Sequence, residues 1–167
     1  ERRGLAFVRL GDGELLTLAQ DTVYPADRIR EMASFLSYAG VDVPDLVARD
    51  ELASAVRYAS IVGVPLSRRP HFQPLLFRVL KAHGIELQSL QMTTSTMNYA
   101  MYEQHMWSRL WQGRTVLVVG NLAEPLAELL AAQGVAVAGA VSPVRGCADI
   151  ARVVAAAAAY EFDLALV

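Results

Sequence analysis

Cysteine is nearly absent: Cys147 stands alone in 167 residues, so no disulfide framework holds the chain and its stability must come from a buried core. Histidine is as scarce, and His71, His83 and His105 are too isolated for the ligand spacing of a zinc site. There is no excess of basic residues. The net charge is −2 and the Lys and Arg residues are scattered, which argues against nucleic acid as a partner. No apolar run approaches bilayer length, the Ala155–Ala159 tract included, so no membrane span is expected. A signal-peptide pattern is also missing, which with the lone cysteine makes the cytoplasm the expected setting. Finally, the G-x-G-x-x-G fingerprint is absent. Gly120 is the only glycine of VVGNLAEP, and the next strand pattern ends Ala138-Gly139-Ala140 without an acid for a ribose hydroxyl, which excludes a nicotinamide or flavin dinucleotide site.

What is present is an apolar, globular composition, 54% hydrophobic against 19% charged, enough for one domain over residues 1–167. Short apolar runs at Leu5–Leu10, Ile61–Val64, Ile85–Leu90, Thr115–Val119, Val135–Val141 and Leu164–Val167 read as strands. Helical patterns separate them: Ile29 to Gly40, two short helices between Pro44 and Ala59, Pro74–His83, a helix entered at Thr93–Tyr99 and running to about Trp107, Glu124–Gln133 and Ala148–Tyr160. The alternation implies an α/β, Rossmann-like fold, a mostly parallel sheet with helices on both faces. In such sheets ligands sit beyond the carboxyl ends of the strands. The loops at Gly11–Glu14, Leu66–His71, Thr93–Asn98, Gly120–Glu124 and Ser142–Gly146 are therefore expected on one rim.

The most informative stretch is LAFVRLGDGELLTL, Leu5–Leu18. It reads as strand, tight turn and helix, with Asp12 and Glu14 in the turn and Gly11 and Gly13 beside them. Glycine there permits positive φ and close approach of a ligand. Carboxylate oxygens are the hard ligands preferred by Mg²⁺ and Mn²⁺, and Mg²⁺ is commonly held by one or two carboxylates plus substrate phosphates. Asp12 and Glu14 thus suit a divalent-metal site for a phosphorylated substrate. The same acids also suit a helix N-terminus, where they complement the dipole and cap free N–H groups. Arg9, a charge inside an apolar strand, requires a partner or a polar cleft. Elsewhere, Arg68 and Arg69 after the second strand can hold diphosphate or form an exposed basic loop. Ser95 and Asn98 can bond a sugar or cap a helix. Gly120 and Asn121 turn the chain after the Thr115–Val119 strand.

FVRLGDGELLTL resembles the R-[FL]-G-D-G-E signature of GT-D glycosyltransferases, and VGVPLSR, STMNYAMY and LWQGRTVLVVGN are similar to further segments of that family. The resemblance implies a DXE motif, here Asp12 and Glu14, binding Mn²⁺ or Mg²⁺ that holds a nucleoside-diphosphate sugar, a UDP-sugar above all. Arg9, Gly11, Gly13, Arg68, Ser95, Asn98, Gly120 and Asn121 would then be substrate-binding, and the acceptor a glycan or glycoprotein. The chain opens at Glu1 without Met and stops inside the apolar run FDLALV. The family's C-terminal part, with a histidine, is accordingly expected beyond Val167, and the uncovered end is expected to favour a homodimer. Two alternatives stand beside this reading. An aspartate-dependent phosphatase has two acids at this separation, but Leu16 occupies the position where such enzymes usually show Thr or Val. A non-catalytic nucleotide-binding α/β domain keeps the shape alone.

Overall fold

The computed structural model describes residues 4–167. In chain order the elements are β1 (Phe7–Arg9), α1 (Asp12–Ala19), α2 (Ala26–Met32), α3 (Leu46–Tyr58), β2 (Ile61–Val64), α4 (Gln73–Ala82), β3 (Met92–Thr94), α5 (Met97–Glu103) and α6 (Trp107–Trp111). They continue with β4 (Thr115–Val119), α7 (Ala123–Ala132), β5 (Ala136–Val141), α8 (Ile150–Ala157) and β6 (Leu164–Leu166). The chain divides into two compact units, Glu1–Ala100 and Met101–Val167. Each holds a three-stranded parallel sheet, ordered β1-β2-β3 in the first and β5-β4-β6 in the second. The α/β parallel architecture is as expected; the loops after β1, β2 and β3 belong to the first sheet and those after β4 and β5 to the second.

In the first unit α1 is the core element. Leu15, Leu16, Leu18 and Ala19 are all within 1% of complete burial, and α3 and α4 pack against the helix. A helix apolar on every side has to be enclosed, and each buried leucine contributes about 1.5–3 kcal/mol. The two polar residues of this stretch are buried with partners. Thr17 Oγ1 donates to Gly13 O at 2.9 Å, and Gln20 Oε1 accepts the Asp45 N–H at 2.7 Å. Asp45 in turn caps α3 by accepting the Ala48 N–H at 2.9 Å. The two short helices expected between Pro44 and Ala59 are one helix of 13 residues, since no glycine or proline interrupts it after the Asp45 cap.

Two further expectations are corrected. Residues 85–90 do not form a strand: Ser89 Oγ donates to Glu86 O at 2.7 Å and closes a 3₁₀ turn over Leu87–Ser89, so the strand begins only at Met92. The helix entered at Met97 stops at Glu103, and His105, at φ 53°, turns the chain before α6.

In the second unit β4 lies between β5 and β6 and is buried almost throughout. Val116 and Val118 pack with Ala123 and Leu130 of α7, while Leu117 and Val119 pack with Val153, Ala156 and Ala157 of α8. Alternate residues of one strand thus face two helix layers, which is why β4 reads as an unbroken apolar run. The register slips where Val116 pairs with Val137 but Leu117 with Gly139. At Gly139 an added Cβ would stand 2.3 Å from Tyr160 Cε1, so the ring of Tyr160 occupies the place of a side chain.

Candidate functional site

The carboxyl edge of the first sheet carries Arg9, Gly11, Asp12, Gly13, Glu14, Arg68, Ser95 and Asn98 on the segments that follow β1, β2 and β3. Asp12 is the first residue of α1 and Gly11 its N-cap. Glu14 Oε2 accepts the Gly11 N–H at 2.8 Å and Asp12 Oδ1 accepts the Gly13 N–H at 3.0 Å. The capping reading of the motif is therefore real, and each acid spends one oxygen on it. The second oxygen of each, Asp12 Oδ2 and Glu14 Oε1, has no donor among the described residues. Asp12 is half-buried and Glu14 exposed, so both are reachable.

The glycines act differently from the expectation. Gly11 has φ −104° and Gly13 lies in the first turn of α1, so neither uses the left-handed region. At Gly11 an added Cβ would come to 3.1 Å from Glu14 Oε2, the far end of a flexible side chain, whereas at Gly13 it would meet Phe35 Cε2 at 3.5 Å and Leu36 Cδ2 at 3.7 Å, ordinary contacts. The fold leaves room for a side chain at 13.

Arg9 has its partner. Its Nε donates to Ser95 O at 2.7 Å, tying the end of β1 to the segment after β3 across the central strand. The crossing depends on Gly63, the residue in register with Arg9, where an added Cβ would be 3.2 Å from both Phe7 Cζ and Ser95 Cα. Gly63 did not stand out as a site residue in the sequence, although a lone glycine inside IVGV is a sign of close backbone approach. Thr94 and Thr96 share a 2.8 Å hydroxyl contact on the same segment, and Asn98 Oδ1, on α5, is buried with no partner among the described residues. Arg68 is exposed in the loop after β2, with no carboxylate at ion-pair distance among the described residues.

Among the described residues no group of three His, Cys, Asp or Glu side chains could hold a metal ion. The pair Asp12 and Glu14 still fits Mg²⁺ or Mn²⁺ in one way. Two hard oxygens supply part of the shell, and phosphate and water oxygens complete it. A cage made wholly of protein ligands does not fit.

Gly120 and Asn121 lie on the other sheet's carboxyl edge, where the structure gives them a supporting part. Gly120 takes φ 140°, and Asn121 Oδ1 accepts the Val144 N–H at 2.8 Å, joining the loops after β4 and β5. Ser142 Oγ donates to Glu124 Oε1 at 3.0 Å beside it. Asp149 is held below the usual carboxylate range by the Arg152 guanidinium at 3.0 Å and by the Arg145 N–H at 2.9 Å. Arg152 also donates to the Pro143 carbonyl.

The sequence matches the GT-D fold-like domain family over residues 1–167. The chain belongs to that family. A GT-D fold-like domain is a glycosyltransferase-related fold, in keeping with the parallel α/β units described above. No curated protein and no solved structure matches the chain. Among the described residues no helix of this GT-D-like chain is long and apolar enough to cross a membrane.

Two outcomes check this geometry. Gly63→Ala is expected to lower the melting temperature through about 1–3 kcal/mol of overpacking. Gly13→Ala should leave it unchanged or raise it, by up to about 1 kcal/mol of helix propensity. Equal losses at both positions would contradict the close approach assigned to Gly63. At the second edge, a depressed carboxyl pKa contributes stability above the unfolded value and loses it as pH falls through the folded one. The melting-temperature gap between the wild type and Asp149→Asn should therefore be full at neutral pH and vanish in acid; a gap that persists in acid would rule out the ion pair as its source.

Proposed function

We propose that the chain is a metal-dependent glycosyltransferase domain that binds a nucleoside-diphosphate sugar, with a UDP-sugar as donor, and transfers the sugar to a glycan or glycoprotein acceptor. The observation that carries this reading is the pair of carboxylate oxygens, Asp12 Oδ2 and Glu14 Oε1, left without donors among the described residues at the start of α1 in a GT-D-like chain. Both acids are anchored by their other oxygens, so ligation costs little further ordering. A bound Mn²⁺ or Mg²⁺ would neutralise charge on the departing diphosphate. Arg68 suits the diphosphate through its planar donor fork, and Arg9 acts on the donor indirectly by positioning Ser95. Ser95 and Asn98 are assigned to hydroxyl groups of the donor. As transfer proceeds the bond from the anomeric carbon to the diphosphate oxygen breaks, its electron pair leaving with the nucleoside diphosphate, while the acceptor hydroxyl oxygen bonds to that carbon and releases its proton to solvent. A cytoplasmic, homodimeric protein is the setting this reading adopts.

The test is thermal. Mn²⁺ with UDP should raise the melting temperature by binding the folded state, about 2.7 kcal/mol at a hundredfold excess over the dissociation constant. Asp12→Ala should abolish the shift while the protein stays folded. A shift of unchanged size in the variant would assign the acids to capping alone. Asp12-dependent release of inorganic phosphate from monoesters, without nucleotide-sugar turnover, would replace the transferase with a phosphatase.

A further inference from the structure

The amino-terminal ends of β4 and β5 border an open groove of about 530 Å³ in the second unit, at the opposite end of that sheet from Gly120 and Asn121. Its lining includes Ser108, Trp111, Gln112, Arg114, Thr115 and Gln133, with the glycine turns at Gly113 and Gly134. The volume is within the range of about 300–1,000 Å³ usual for small-molecule sites. None of the lining residues is acidic, so nothing in the groove attracts a metal ion. The single cation is partly engaged, because Arg114 Nη1 donates to Leu110 O at 2.8 Å. The remaining polar groups are two carboxamides and two hydroxyls, each able to donate and to accept. That set matches adjacent sugar hydroxyls, which also do both.

The aromatic wall is fixed in advance. Trp111 stacks on Trp107 with ring centroids 5.7 Å apart and planes 15° apart, and it packs against the core around Val116 and Leu130. A rigid indole offers apolar area to the C–H face of a pyranose at little entropic cost. Gly113 and Gly134, at φ 68° and 81°, would have nothing within 4 Å of an added Cβ, so the rims are low and the groove is open at the side. An open groove suits a chain of sugar units better than an enclosed monosaccharide. The geometry points to a neutral-oligosaccharide binding groove on the second unit, formed by Trp111, Gln112 and Gln133.

The inference does not rest on the metal site, and its test uses neither metal nor nucleotide. Trp107 and Trp111 are the only two tryptophans of the chain, so selectively excited tryptophan fluorescence reports Trp111 in the groove and the Trp107 ring stacked on it. The intact protein is titrated separately with maltotriose, cellotriose and chitotriose. A saturable change at millimolar concentration with at least one of them is expected. Gln112→Ala and Gln133→Ala, both on exposed side chains, should each weaken it about fivefold, the loss of one hydrogen bond of about 1 kcal/mol, with melting temperatures unchanged. No saturable response to any of the three sugars would overturn the proposal. So would a response of undiminished affinity in both variants, or saturation by inorganic phosphate alone, which would make the groove an anion site.

Discussion

The burial of α1 on every side is the constraint on which the first unit depends. Once Leu15, Leu16 and Leu18 are enclosed by α3 and α4, the axis of the helix cannot shift without opening the core, and its first turn is fixed at the end of β1. Asp12 and Glu14 inherit that rigidity. Their cap bonds to Gly11 and Gly13 then set which oxygen of each acid faces its own backbone and which is left for a ligand. A helix terminus and the proposed metal-binding pair would thus be one arrangement. The acids satisfy backbone donors with half of their acceptor capacity and keep the other half.

Around this turn the sheet edge is drawn together by backbone contacts more than by charge. Arg9 spans β2 to the Ser95 carbonyl, which is possible because residue 63 has no side chain. Leu10 N–H donates to Gly63 O at 2.8 Å and Ser95 N–H to Val64 O at 2.8 Å, so the segments after β1 and β3 are both fastened to the central strand. An arginine that sequence reasoning must treat as an anomaly in an apolar strand is in the structure a cross-strand tie with a defined acceptor. On the second sheet Asn121 does the corresponding work by holding the loop at Val144.

Legibility followed the physical range of the signal. The strand-turn-helix at Leu5–Leu18, the buried run of β4 and the α7 and α8 patterns are local, and periodicity with glycine punctuation is enough to place them. Ile85–Leu90 is not a strand because its apolar content is compatible with a turn, which backbone bonds from Ser89 and Leu90 form and the Ser89 side chain reinforces. Leu46–Tyr58, expected as two short helices, is continuous because the Asp45 cap starts it and no glycine or proline interrupts it. Division into two sheets was hidden for a different reason: strand order is a matter of long-range pairing, and parallel strands separated by helices look alike whichever sheet they join. The role of Gly63 is hidden similarly, since what crowds a side chain there is Phe7 and Ser95, both far away in the chain.

The central claim, that the two acids of the first turn of α1 ligate a divalent ion together with nucleotide phosphate, is tested most directly by paramagnetic broadening. Mn²⁺ added at substoichiometric amounts in the presence of UDP should broaden the backbone amide signals of Gly11 to Glu14 before any others, because relaxation by the bound ion falls steeply with distance. Sharp signals at those four amides, with broadening centred on another part of the chain, would contradict the account.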